Sequence, residues 1–197
     1  MVKLKRMLGD IDDPTVVVLM ALIESQSAET LANWSLNYVE QNLLSIYQDK
    51  YPDDARLKHI ICETRKYLAG TKTKKEQRML LKEAKELIKD VEETIVPLAI
   101  VRAILIACAT KDSPTNALGY TFYAVAAIVY HQAGLCENKE IYDQLAKEEF
   151  KKVLKSLQLI AIDNENNPVK VKWYCYCLLY TSPSPRDVEE SRMPSSA

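Results

Sequence analysis

Two stretches late in the chain constrain the fold most: "TIVPLAIVRAILIACAT" at residues 94–110 and "TNALGYTFYAVAAIVYHQAG" at 115–134. Both are apolar on nearly every side of a helix, so neither suits a surface position with one face in water. The first has Pro97 and Arg102 inside its 17 residues, which leaves it short of the roughly 20 apolar residues of a membrane helix. It is expected to lie buried in the middle of a bundle. Ser113 and Pro114 supply an N-cap and a first-turn proline for the second stretch, and Gly134 closes it. Gly119, Ala124, Ala126 and Ala127 would let a neighbouring helix approach closely. Together the two stretches predict a central apolar hairpin.

The remaining segments read as amphipathic helices around that hairpin. Pro14 after Asp12 and Asp13 opens "TVVVLMALI", read as helix despite its β-branched residues. Ser27 caps a long helix carrying Leu31, Trp34, Tyr38, Leu43, Ile46 and Tyr47. "YPDD" at Tyr51–Asp54 ends it and caps the next, which holds Leu57, Ile60, Ile61, Tyr67 and Leu68 and stops at Gly70. Thr73 and Glu76 form a capping box for a helix with a narrow stripe at Leu80, Leu81, Ala84, Leu87, Ile88 and Val91. Its alternating charges read as a solvated face with i,i+4 pairs. A last helix from Asn138 to Leu157 buries Ile141, Leu145, Phe150, Val153, Leu154 and Leu157. Then comes an extended terminus that packs Trp173 back on the bundle. The expectation is an all-α, single-domain bundle of about seven helices.

Composition narrows the function classes. Hydrophobic residues make up 48%, charged residues 27%, and the formal net charge is −1. This is the profile of a globular domain long enough to bury about 70% of its unfolded surface without staples. It makes no electrostatic case for nucleic acid or an anionic membrane. The start has a positive flank but no apolar signal-peptide core, and the five cysteines are irregularly spaced, so a reducing cytoplasm is expected.

Few residues suggest catalysis. The chain has two histidines. His59 and Cys62, at i,i+3, form the one local pair with metal-binding or thiol-activating character, which reads as a half-buried histidine beside a core thiol. His131 suits the C-terminal end of its helix. The carboxylate pairs Asp12-Asp13, Asp53-Asp54, Glu92-Glu93 and Glu148-Glu149 lack a Glu-x-x-His partner, and two of them sit at helix starts. Tyr120, Phe122, Tyr123 and Tyr130 read as core. There is no Gly-rich nucleotide loop and no G-x-S-x-G elbow. No cofactor, no metal site and no enzyme activity are expected.

Ordered phrases carry more. "LGDIDDPTVVVLMALIESQSAETLANWSLNYVEQNLLSIYQDKYPDDARLKHIICETRKYLAG", "SPTNALGYTFYAVAAIVYHQAGL" and "NPVKVKW" resemble, in the same order, the immunity-protein-five-like family of bacterial polymorphic toxin systems. The resemblance spans nearly all of residues 1–175. It implies a non-enzymatic helical protein whose partner is a cognate protein toxin. The matching positions are Tyr51, Pro52, Asp53, Asp54, Arg56, Gly70, Ala117, Leu118, Gly119, Tyr123 and Trp173, most with a structural explanation. In "KDSPTNALG" this chain departs from members that carry histidines near Asp112 and Asn116, so any site built on those histidines is lost here. The function expected is neutralisation of a toxin by stoichiometric occlusion; the alternative is a helical small-molecule-binding or regulatory module with a pocket beside the aromatic helix.

The last stretch differs from everything before it. "CLLYTSPSPRD" at 177–187 and "SRMPSSA" at 191–197 resemble in-frame translations of a transposase-type sequencing adapter. Residues 177–197 are therefore expected to be non-native and disordered, leaving 1–176 as the domain.

Overall fold

A computed structural model describes residues 4–173; the adapter-like stretch lies outside the described residues. Within them the chain forms α1 (Pro14–Glu24), α2 (Ala28–Asn42), α3 (Leu44–Lys50), α4 (Arg56–Leu68), α5 (Lys74–Ala84), α6 (Leu87–Asp90), α7 (Ile95–Ala107), α8 (Asn116–Ala133) and α9 (Lys139–Gln158). Seven of these are long, and α3 and α6 are short. An isolated antiparallel bridge between Ser27 and Pro168 is the one piece of β pairing among the described residues. The all-α bundle is as expected. No helix among the described residues is long and apolar enough to cross a membrane.

The predicted hairpin is α7 and α8, which pack against each other more extensively than any other pair. Ile100, Val101, Ala103 and Ile104 of α7 are buried, as are Leu118, Tyr120, Phe122 and Val125 of α8. Each large side chain so buried contributes about 1.5–3 kcal/mol relative to exposure. α9 and α1 lie on the α8 side, α3, α4 and α6 contact α7, and α2 touches both. α5 reaches the bundle largely through α4 and buries only Gln77 and Ala84 of its own residues. Gln77 Nε2 donates to Thr64 Oγ1 at 3.0 Å and to the Cys108 carbonyl at 3.1 Å, pinning α5 to α4 and to the end of α7.

Local capping chemistry sets most helix ends. Asp13 accepts from the Thr15 N–H, Ser27 from Thr30 and Asn138 from Ile141. Thr73 and Glu76 form the reciprocal capping box. Gly70 takes φ +77° beyond α4 while Thr71 N–H bonds the Lys66 carbonyl and Gly70 N–H that of Tyr67, a Schellman ending.

Several expectations need correction. The long helix after Ser27 breaks at Leu43 (φ −115°). Asn42 Nδ2 takes the Tyr38 carbonyl at 2.8 Å there, and the bend turns Leu43, Leu44 and Tyr47 inward. The charged helix stops at Ala84, and i→i+3 bonds such as Glu86 N–H to Glu83 O and Ile88 N–H to Lys85 O wind the chain tightly into α6. α8 starts two residues later than Pro114 suggests, because Asn116 and Ala117 first close turns on Ser113 and Pro114. α9 is rotated from the expected stripe. Tyr142, Ala146 and Glu149 are buried with Phe150, Val153 and Leu157, while Ile141 is exposed. Cys62 is exposed rather than a core thiol.

The C-terminal segment is a strap across the α1–α2 corner, as its turn-then-extended pattern suggests. Buried Gln26 bonds both the N–H and the carbonyl of Ile162, and Val169 N–H donates to the Gln26 carbonyl. Glu165 accepts from Ser27 N–H at 2.6 Å, Ser27 Oγ at 2.8 Å and Thr30 Oγ1 at 2.6 Å. Trp173 ends the strap, partly packed on the core, with its indole N–H donating to Glu24.

At the other end of the chain, Leu8 is buried and its N–H donates to the Phe122 carbonyl at 3.2 Å. Gly9 follows with φ +115°, so close over Phe150 that a Cβ would overlap the ring. Gly9→Ala therefore combines backbone strain with overpacking and should cost about 2 kcal/mol or more. An unchanged urea midpoint would show that this loop is not seated on α8 and α9.

Candidate functional site

The eleven family-motif positions do not converge on one place. Tyr51, Pro52, Asp53, Asp54 and Arg56 sit in the loop before α4 and its first residue, Gly70 at the far end of α4, and Trp173 on the strap. Ala117, Leu118 and Gly119 are buried in the first turn of α8. Tyr123 is half-buried and faces a groove.

The Tyr51–Arg56 loop is a brace. Tyr47 Oη donates to Asp54 Oδ2 at 2.8 Å, and Arg56 donates to Asp54 from Nε at 2.9 Å and from a terminal nitrogen at 2.7 Å. The other Arg56 terminal nitrogen reaches Asp90 at 2.7 Å, tying the loop to the end of α6. Asp54 also accepts from the Arg56 backbone N–H at 3.0 Å, so it caps α4 from one residue before the N-cap position, which Ala55 holds. The Arg56 hydrogen bonds hold the Asp54 carboxyl at about 2, well below the ordinary carboxylate range, and burial followed by the Asp54 hydrogen bond pushes the Tyr47 phenol up.

His59 and Cys62 are both exposed, and neither side chain has a hydrogen-bond partner among the described residues. His131 is also exposed at the end of α8. Cys108 is buried, and burial pushes its thiol up to about 12, far from the thiolate needed for nucleophilic work. Among the described residues no group of three or more His, Cys, Asp or Glu is placed to hold a metal ion. Tyr120 and Phe122 are core as expected, Tyr120 stacking edge-on to Trp34 at 5.3 Å between centroids.

Two surface grooves flank α5, and their charges are opposite. On the α4 side, a groove of about 960 Å³ is walled by Leu80, Glu83, Ala84 and Leu87, with Asp53, Asp54 and Glu86 outnumbering Arg56 among its charges. On the α7 side, a groove of about 520 Å³ is lined by Arg78, Lys82, Lys85 and Arg102 around Leu81, Ile88, Leu105 and Ile106. Within α5 the helical period sorts them: 80, 83 and 84 share one face, while 78, 81 and 82 share another. The expected i,i+4 pairs within α5 are absent among the described residues; Lys74 instead reaches Asp112 at 2.7 Å. Arg78, Lys82 and Lys85 form no ion pair there.

Arg102 is the residue that sequence reading passed over. The guanidinium lies 5.8 Å from the Tyr123 ring centroid, with one terminal nitrogen 3.5 Å from Tyr123 Oη. Its Nε is buried without a hydrogen-bond partner among the described residues. A buried donor left unpaired costs about 1–3 kcal/mol. The signal was available: one charge in an otherwise apolar 17-residue stretch.

Asp54 gives a pH test. A carboxylate whose folded value (about 2) lies below its ordinary 3.8 stabilises the fold above the unfolded value, and loses that contribution as pH falls through the folded one. The wild type should therefore lose stability through this group between about pH 4 and pH 2. Asp54→Asn should be less stable at neutral pH and flatter across that interval in chemical unfolding. Identical slopes for the two proteins would contradict the brace.

No curated protein and no solved structure matches the chain. The model of one family does, that of the Imm-5 like putative immunity protein, over residues 21–155, from within α1 to within α9. The span includes every motif position named above except Trp173. With more than half of its length matched, the chain belongs to the Imm-5 like immunity protein family.

Proposed function

We propose that the protein binds a cognate bacterial toxin of a polymorphic toxin system in the cytoplasm and neutralises it by stoichiometric occlusion, without catalysing a reaction. The family membership carries this reading. The architecture is compatible with it: an inhibitor works through a pre-formed complementary surface, because ordering loops on binding subtracts from affinity. Here the loop before α4 is braced by Asp54 and Arg56, and the C-terminal segment by Gln26 and Glu165. The absent histidines near Asp112 and Asn116 weigh less against a binding role than against a catalytic one.

Residues 177–197, in this reading, are adapter-derived and take no part; sequencing the natural locus across codon 176 would refute this by showing a coding sequence that continues into those residues.

The functional test starts from gene order, which should place a toxin domain immediately upstream, and proceeds to co-expression with that domain. Cells should die without this protein and grow with it, and the two proteins should form a complex on mixing. Survival without the protein, or no complex, would sink the proposal. A His59→Ala, Cys62→Ala double variant should neutralise as well as the wild type; loss of protection in a folded double variant would point to chemistry at that pair.

A further inference from the structure

We propose that the groove between α5, α7 and the start of α8 is the docking surface, and that its occupant is a short acidic amphipathic segment of the partner polypeptide. This rests on the neutralisation reading and specifies the partner's contacting chemistry.

The floor comes from α7. Although that helix reads as apolar all round, its Arg102, Leu105 and Ile106 remain only partly buried, as does Ala109 in the turn that follows. The i, i+3 and i+4 spacing of Arg102, Leu105 and Ile106 puts them on one face, which lines the groove together with Ala109. The wall comes from α5 and its C-cap, where Arg78, Lys82 and Lys85 recur at i, i+4 and i+7 over about 10 Å. Leu81 and Ile88 lie between wall and floor. An aliphatic trough with cations along one rim and a guanidinium in its floor complements a segment that presents apolar side chains on one face and carboxylates beside them.

Three observations narrow the occupant. Two of the rim cations, Lys82 and Lys85, have no anionic partner among the described residues, and the Arg102 Nε is buried with no acceptor there. The groove's acid, Asp112, is bonded to Lys74 and to the Tyr67 hydroxyl and also feels the charge of Arg78, so it offsets only that end of the rim and leaves Lys82 and Lys85 unbalanced. The floor is aliphatic, and its ring, Tyr123, already lies against Arg102, which leaves no stacking platform for bases. The acidic groove across α5 provides an internal control, since it shares the same helix with the opposite charge.

The test uses the full chain and the toxin domain that the co-expression experiment identifies. Lys82→Glu with Lys85→Glu changes two exposed side chains without touching the core. This variant should keep the wild-type melting temperature and weaken the complex about tenfold or more. Leu105→Asn should weaken it independently of salt, whereas the wild-type affinity should fall as salt is raised. Glu83→Lys with Glu86→Lys, on the other groove, should change affinity less than twofold. A wild-type complex that survives Lys82→Glu/Lys85→Glu and Leu105→Asn unchanged overturns the groove and leaves the neutralisation reading standing. Absence of any wild-type complex overturns both. A single-stranded RNA 20-mer shifted by the wild type and not by Lys82→Glu/Lys85→Glu would give the surface to nucleic acid and overturn the proposed occupant.

Discussion

The packing of α7 on α8 is the interaction on which the rest of the molecule depends. These two helices cannot face water on most of their surface, so each surrounding helix is placed by the side of the pair that it covers. α2 lies against both, which makes the Trp34–Tyr38–Tyr120 cluster a junction rather than a local contact. Two of the three polar groups at that junction are paired across long sequence separations, Trp34 with Ser156 and Tyr38 with Glu149, which also holds Lys152 at 2.7 Å, while the buried Tyr120 hydroxyl has no hydrogen-bond partner among the described residues. Such pairs specify which helix sits beside which, since leaving one member unpaired in the interior would cost more than the bond contributes.

α5 depends least on that core. It buries Gln77 and Ala84 and otherwise stands between two grooves. A helix with few buried contacts belongs to the low-stability end of a fold, where local opening is least costly. The same feature makes it a usable surface. Because it is not committed to the core, its charges can be sorted by face, acids toward α4 and bases toward α7. The proposed docking surface and marginal packing thus fall on the same element, while the loop before α4 is braced by Arg56 and the strap over α1 and α2 by Glu165.

What could be read from sequence was what depends on neighbours along the chain. The caps at Asp13, Ser27, Thr73 and Asn138 and the ending at Gly70 follow from side chains two or three residues away. The apolar hairpin was legible because nothing but burial suits such segments. The breaks at Leu43 and after Ala84 were not legible, since the apolar pattern runs through both and each is decided by which residues the core draws inward. Tyr142 in place of Ile141 is a rotation of one position, set by the Tyr142 hydroxyl bonding the Gly134 carbonyl at 2.8 Å and by the Tyr130 ring beside it. Gln26, Gln77 and Glu149 are buried because their partners come from elsewhere in the chain, which no local pattern announces. The motif positions were visible as a set, yet only Tyr123 lines the basic groove; the rest are turn, cap, brace and core.

Hydrogen exchange measured on the free protein and on its complex with the toxin domain tests the central claim most directly. Docking in the basic groove predicts added protection across Lys74–Ala84 and through the turn from 108 to 115, with the strap unchanged. Added protection confined to α1, the strap or the loop before α4, with α5 exchanging as in the free protein, would contradict it.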